Sequence, residues 1–501
     1  MAGRHSELVR GLMATSRSPM FQGRFGRMFR WLPPARFGRD DAEAAANLTA
    51  LGTAMSADFE EPFDGKDDEE SGIPSLYTYL GQFVDHDITF DPASSLQMQN
   101  DPDALTDFRT PALDLDNVYG RGPSDQPYMY DGEKFLLGDA LTGADPSARD
   151  LPRNNAAVRR ALIGDPRNDE NVIISQLQGL FLQFHNRVRA EHPALTFEEV
   201  QEQVRFHYQY VVLHDFLPRI IHSSVINSLK SHGAYDRSKL QYYRWKNDPF
   251  MPVEFSAAAY RLGHSMIRPG YRLNDEVLLP IFPVPSQGLP DGLAGFRAMP
   301  TNFGIDWGRL IDIDVRPDDD PSDAVKARRL QLAYRLDTSV VNPLAALPPE
   351  VAANPASLPQ RNLLRGWRLG LPSGQDVAYA MGVKPLADTD ILIGKATGDP
   401  EDVKGNILSV ANGAFKGNCP LWTYILAEAM RFQEPVKIPS TEPITLQTPR
   451  LGPVGGRIVA EVLLGMVFGD RHSLLSVNPN WQPALGSGYA LKDFVKYALG
   501  Q

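Results

Sequence analysis

The chain is predicted to fold as one mainly α-helical domain. Its apolar residues recur at helical spacing over long stretches, whereas few segments show the two-residue alternation of half-buried strands. Its 41 prolines and 41 glycines are scattered rather than gathered into a linker, and no repeat or low-complexity tract divides the 501 residues. With 43% apolar and 22% charged residues, a chain of this length can bury one large core.

Charge and composition exclude several classes of function. A net charge of −11 leaves no excess of Lys and Arg to neutralise phosphates, so nucleic acid is not an expected partner. Residues 1–40 are the local exception, a basic arm with eight arginines and one glutamate before Asp40, interleaved with Met20, Phe21, Phe25, Met28, Phe29, Trp31 and Leu32. Such a mixture packs along the body or lies on an anionic surface, and packing is the favoured reading. The main domain is assigned to residues 41–501. A single cysteine, Cys419, excludes internal disulfides and zinc ribbons. No apolar run reaches membrane-spanning length, and the first 30 residues lack the apolar centre of a secretory signal. The expected location is therefore the cytoplasm, with non-classical export left open.

Taken in order, residues 41–56 read as a short helix and Asp64–Ser71 as an acidic loop. Ser75–Pro92 begins behind Pro74 and reads as a helix. Leu76, Leu80 and Phe83 share its buried flank; Gln82, Asp85 and His86 form a neighbouring stripe, and Asp87 points a further step of about 100° around. In Arg109–Pro123, Thr110, the carbonyl of Ala112, Asp114 and Asp116 offer hard oxygen donors at alternate positions, which suits calcium, although such an acidic stretch alone is most simply a solvated loop. Ile163–Pro193 predicts a long helix with Ile173, Leu177, Leu180, Phe181, Phe184 and Val188 on its apolar face, Asp169 as its N-cap, and Arg167 and Glu170 just ahead of it. Glu254–Leu273 predicts a helix of small residues that lets a flat ligand approach, with Arg261 and His264 three apart and Pro269-Gly270 as its stop. Gly456–Asp470 reads as a core helix, and the acidic run Asp312–Asp323 as a solvated loop without a role.

Four of these segments share a resemblance. GQFVDHD (Gly81–Asp87) resembles the distal-helix signature of the animal-type haem peroxidases, the superfamily of myeloperoxidase, peroxidasin and the cyclooxygenases. Residues 109–123 are similar to that family's calcium loop, with Ala112 in place of Phe and Asp116 in place of Ser. GDPRNDE followed by a helix ending His185-Asn186-Arg187 is similar to its distal-arginine element, and R-x-x-H-S-x-I-x-P-x-x-x-L at Arg261–Leu273 to its proximal helix. The resemblance implies haem b between the distal and proximal helices, with His264 as proximal iron ligand and Arg261 beside it. Asp85 and Glu170 are implied as ester links to haem methyl groups. Asp87, Thr110, Ala112, Asp114 and Asp116 are implied as calcium ligands. By count from the Gly-Leu-Pro of RGWRLGLPSGQD (Arg365–Asp376), Gln375 is expected to accept from the His264 imidazole. This chain departs from vertebrate members in lacking a secretory signal and disulfides, which resembles a bacterial member.

The activity that the resemblance implies is reduction of hydrogen peroxide, as in a response to oxidative stress. His86 would move the proton between the peroxide oxygens, Arg167 would stabilise the charge that develops as they separate, and Gln82 would orient water or halide. The resulting ferryl haem would take electrons from a halide, thiocyanate or a small aromatic donor. Residue 171 is Asn where myeloperoxidase has a haem-linked methionine, which disfavours chloride. A fatty-acid dioxygenase of the same superfamily is the alternative. It calls for a tyrosine three residues before the proximal histidine; that position is Arg261, and Tyr260, one residue off, is expected to aim away. A haem-free, calcium-stabilised scaffold is the second alternative.

Overall fold

A computed structural model of the chain describes residues 25–58, 67–89, 110–143, 146–284, 291–317, 328–349, 351–352 and 354–501. Helices dominate them, as the periodicity predicts, and the named strands form only two-stranded pairs. The principal helices are α1 (Asp41–Ala54), α2 (Leu76–Ile88), α3 (Val172–Glu191), α4 (Phe197–Val211), α5 (Leu358–Arg368), α6 (Leu421–Ala429), α7 (Pro453–Gly469) and α8 (Leu491–Leu499). One continuous cluster of buried apolar side chains runs from Phe25 to Leu499.

Helix α2 starts without a side-chain cap because other backbone does that work. Ser75 N donates to Gln331 O at 3.0 Å and Leu76 N to Leu310 O at 2.9 Å, which satisfies helix-start donors that would otherwise be orphaned. The strand Glu70–Pro74 leads into it and pairs antiparallel with Leu332–Tyr334. The acidic stretch expected as a loop to Ser71 is therefore partly buried sheet. Glu70 accepts from both Arg268 and Arg329 there, a carboxylate out of water held by two guanidiniums.

Helix α3 buries Ile173, Leu177, Leu180, Phe181, Phe184 and Val188, as its spacing predicts. Its N-cap is Asn171, which accepts from Ile173 N and Ile174 N, and not Asp169. Asp169 is taken by Arg153, at 2.7 and 2.8 Å, and by the Ser175 hydroxyl. A buried guanidinium needs a full negative charge more than a helix end does. Helix α4 runs through a π-helical turn, Val212–Phe216, whose Asp215 accepts from Tyr77 Oη on α2 at 2.6 Å and from Leu491 N at the start of α8 at 2.8 Å.

The segment carrying His264 is not the single helix that its small residues suggest. Val253–Ser256 forms one α-turn, Ala258 breaks it at φ −136° and ψ −72°, and Ala259–His264 continues as a 3-10 helix. The described part of the N-terminal arm packs against this region. Phe25–Gly26 pairs parallel with Met251–Pro252, and the Glu254 carboxylate accepts from Met28 N and Phe29 N, each at 3.1 Å. Arg27 Nη1 reaches Gly370 O at 3.0 Å, and Ala35 N reaches Leu371 O at 2.9 Å. Met20 and Phe21 lie outside the described residues. Helix α7 is core over most of its length, as expected for 456–470, and Glu428 on α6 accepts from Val454 N and Gly455 N in its first turn. The described start of the acidic run is tied down, since Lys492 Nζ lies 3.2 Å from Asp312; residues 318–327 lie outside the description.

Glu254 thus joins the arm to the His264 segment. Replacing it by Ala strands two buried backbone donors, and we expect a loss of about 2–4 kcal/mol in urea unfolding together with faster proteolysis before residue 40. An unchanged midpoint and cleavage rate would show that the arm is held by its apolar side chains alone.

Candidate active site

Helix α2 and the turn Pro166–Asp169 build one wall of the site. His86 is buried, and its Nδ1 donates to Asn168 Oδ1 at 2.7 Å. Asn168 is itself fixed by donating to Gln178 Oε1 on α3 at 2.8 Å. With the proton held at Nδ1, the His86 lone pair lies at Nε2, 3.6 Å from Glu170 Oε1. Gln82 Nε2 donates to that same Glu170 oxygen, and Asn171 Nδ2 donates to Gln82 Oε1 at 3.3 Å. Gln82 and His86, two members of the predicted stripe, are therefore brought together with Glu170 from the turn before α3. Asp85 lies on the same wall, where its Oδ1 accepts from Thr89 Oγ1 at 3.2 Å.

Arg167 sits beside this group but turns toward backbone. Its Nη2 reaches the carbonyls of His86, at 3.0 Å, and Thr89, and its guanidinium pairs with buried Asp165 at 2.8 Å. It therefore clamps the last turn of α2 to the turn before α3.

The opposite wall is the 3-10 segment, which packs directly against α2. His264 lies deep in the molecule, and burial followed by the positive charge of Arg261 pushes its pKa down to about 3. Its imidazole is neutral at any ordinary pH. Gln375 does not reach it: the Gln375 amide donates to Asp388 Oδ1 at 3.1 Å and accepts from Cys419 N at 2.8 Å. The partner of His264 Nδ1 is the side-chain amide of Asn362, at 2.7 Å, on α5. An amide's nitrogen and oxygen exchange places by a half-turn. As placed, Asn362 Nδ2 donates to His264 Nδ1; a half-turn of the amide would put its oxygen there instead, so that Nδ1 donates and Nε2 is left free to bind a metal. Counting from a distant Gly-Leu-Pro missed this residue. A polar side chain on the buried flank of α5, next to Leu363 and Leu364, was the available signal.

Gln82, Asp85, Glu170, Arg261, Gly263 and His264 are only half-buried. A Cβ built on Gly263 would meet nothing within 4 Å. Tyr260 is stacked on Phe255 at 4.5 Å, and its hydroxyl is buried with no hydrogen-bond partner among the described residues. Burial, and after it the charge of Asp85, raises its phenol well above the ordinary range.

The stretch Thr110–Asp116 runs beside α2. Leu115 adopts a left-handed backbone at φ 63° and donates its N–H to Asp87 Oδ2 at 3.2 Å, which turns the chain between Asp114 and Asp116. Burial raises Asp114 well above the usual carboxylate range, and the charges of Asp116, Asp87 and Asp470 add to that. Asp470, at the end of α7, was not anticipated. Among the described residues no group of three or more His, Cys, Asp or Glu is arranged to hold a metal ion, so the expected calcium ligands are gathered without forming a closed shell.

The model of the animal haem peroxidase family matches residues 97–284, which include Arg167, Glu170, Arg261 and His264 but not α2. Thyroid peroxidase of Sus scrofa is 28% identical over 191 residues, 33% of this chain and 20% of that relative, so the chain spans a fifth of its length. The structure of peroxidase A from Dictyostelium discoideum superposes with a TM-score of 0.62 at 15% identity, over 96% of this chain and 93% of that one. The chain is thus similar to the animal-type haem peroxidases over residues 97–284, and its fold is that of a peroxidase structure. The fold is also that of the Oryza sativa fatty acid alpha-dioxygenase, which matches with a TM-score of 0.51 at 14% identity over 93% of this chain and 77% of that one.

For a haem peroxidase fold with an imidazole ligand, the two amides make opposite predictions. In haem-loaded protein, Asn362→Leu should lower the iron–histidine stretching frequency in the resonance Raman spectrum, while Gln375→Leu should leave it in place. A shift in the second variant and not the first would return the role to Gln375.

Proposed function

We propose that this chain is a haem-dependent peroxidase that reduces hydrogen peroxide and oxidises small donors. The observation that carries the reading is a pair of imidazoles, each bonded at Nδ1 to a side-chain amide, on two elements that pack together: His86 with Asn168 and His264 with Asn362. The residues fit haem, since a deep neutral histidine whose Nδ1 donates to the oxygen of that amide has Nε2 available for iron. Bound there, haem would supply the iron that holds the peroxide and takes up its two oxidising equivalents.

The protein's own work is proton transfer and placement. His86 Nε2 takes the proton from the near peroxide oxygen and returns it to the far one, so that water leaves. Asn168 keeps the acceptor lone pair at Nε2. Arg167, beside His86, contributes positive charge and stiffens the helix end that carries it. Gln82 orients water or a halide. Asp85 and Glu170 would form the ester links to haem, a role that their half-buried carboxylates support. Calcium, held by Asp87, Thr110, the Ala112 carbonyl, Asp114 and Asp116, would relieve the mutual repulsion of the buried carboxylates. Asn171 is already engaged as the α3 cap and as donor to Gln82, which supports iodide, bromide, thiocyanate or phenols over chloride.

A second reading is supported by Tyr260. A buried phenol that feels the Asp85 charge is the kind of group a fatty-acid dioxygenase needs, although Arg261 occupies the position three before His264. Oxygen uptake with palmitic acid, abolished in Tyr260→Phe, would establish that reading in place of the peroxidase.

The deciding experiment is the visible spectrum of protein from a haem-replete host, before and after acidified-acetone extraction. A Soret band that stays with the protein is expected, and Asp85→Val with Glu170→Gln should release it. A colourless protein would overturn the proposal in favour of the scaffold. In stopped flow, His86→Ala should slow the reaction with peroxide about a hundredfold or more, and Asn168→Leu roughly tenfold. Near-normal rates would remove His86 as the acid–base group. Chelation of calcium should disturb the Soret band through Asp87, and an unchanged spectrum after verified metal loss would count against the shared clamp.

A further inference from the structure

A column of aromatic rings leads from α2 to the protein surface. Phe83, on α2 between Gln82 and His86, stacks on Phe181 of α3 with centroids 4.3 Å apart and planes within 8°. Phe181 meets Phe494 of α8 at 4.6 Å, Phe494 stacks on Phe184 at 4.2 Å and 8°, and Phe184 meets Tyr497 at 4.6 Å. Tyr208 of α4 lies edge-on to both Phe83 and Phe181 at the inner end, at 5.9 and 5.8 Å. Apolar packing alone accounts for such rings inside the protein. It does not account for what stands at the outer end.

Tyr497 is half-buried, and its hydroxyl donates to Glu191 Oε2 at 2.5 Å. The Arg187 guanidinium lies 5.6 Å from its ring centre and 3.6 Å from Glu191. A phenol bonded to a carboxylate loses an electron more readily than a free one, because its proton has an acceptor in place. The column thus ends in a phenol whose proton acceptor is built in, reachable from solvent.

We propose that Tyr497 is a second, surface site of oxidation, coupled through the ring column to the α2 site, for phenolic donors too large to reach that site directly. The inference rests on the peroxidase reading and names a substrate class for it. Hydrogen peroxide takes up two electrons and two protons to form two waters. Each electron leaves the Tyr497 phenol and passes inward by tunnelling through the stacked rings, while the phenolic proton moves to Glu191, which releases it to solvent as the α2 site takes up one proton from solvent for the peroxide. The Tyr497 phenoxyl then takes one electron and one proton from a phenol at the surface. Two donors become phenoxyl radicals for each peroxide consumed.

The test uses the full haem-loaded chain with guaiacol and with the same phenol coupled to high-molecular-weight dextran. Tyr497→Phe should cut oxidation of the tethered phenol about tenfold while guaiacol stays within about twofold, a split that a loss of peroxide chemistry would not give. Glu191→Gln, which keeps the phenol and removes its proton acceptor, should act in the same direction. Without donor, spin trapping after peroxide should place an adduct on Tyr497 by peptide mass spectrometry, and none there in Tyr497→Phe. Equal rates on the tethered phenol, or an adduct only on Trp481, which branches from Phe184 through His207 at 5.2 and 4.9 Å, would overturn the column. Failure of wild type to oxidise guaiacol at all would overturn the peroxidase reading instead, and the surface site with it.

Discussion

A neutral imidazole offers its lone pair at one nitrogen only, and most of the candidate site exists to decide which one. At His86 the decision is made by Asn168, at 2.7 Å, and Asn168 is held in turn by Gln178 from within α3. The turn that carries Asn168 is held from both ends. Arg167 joins Asp165 to the carbonyls of His86 and Thr89, and Arg153 grips Asp169. The charges serve position here. Each buried carboxylate is matched by a guanidinium, so the cost of desolvation is offset locally and the neutral amide between them needs only shape and hydrogen bonds.

The same use of carboxylates recurs through the fold. Glu254 collects two N–H groups of the arm, Glu428 takes the first turn of α7, and Glu461 accepts from the backbone of Gln241, Tyr242 and Tyr243. A loop-rich chain with seven small two-stranded pairs among its described residues has many backbone donors that no ladder satisfies. The two oxygens of a carboxyl group can accept several at once, so one buried glutamate replaces a sheet edge. In the stretch Thr110–Asp116, burial raises Asp114 above the usual carboxylate range, and the charges of Asp116, Asp87 and Asp470 add to it.

The long elements were legible because they follow one rule. Periodic apolar residues found α1, α2, α3 and α7 with their buried faces, and the stripe Gln82, Asp85, His86 came through intact. What could not be read was pairing between segments far apart in the chain. Asn362 and His264 are 98 residues apart, and Arg153 and Asp169 meet only because the intervening loop folds back. Local rules gave Asp169 a cap that a distant arginine had already claimed. They also placed Glu69 and Glu70 in a solvated loop, when Lys395, Arg268 and Arg329 bury them.

The 3-10 geometry of Ala259–His264 bears on the choice between the peroxidase and dioxygenase readings. In an α-helix the residue three before His264 is offset from it by about 60°, but in a 3-10 helix the two eclipse. Arg261 therefore stands in line with His264, where its charge helps hold the imidazole neutral while its Nε is tied to Ser256 O at 2.8 Å. Tyr260 is turned by about 120° from that line, and its phenol feels the charge of Asp85. The break at Ala258 thus does two things at once: it puts a cation under the proposed iron ligand and takes the phenol out of register with it. A tyrosine at 261 would reverse that arrangement and put a phenol in line with His264.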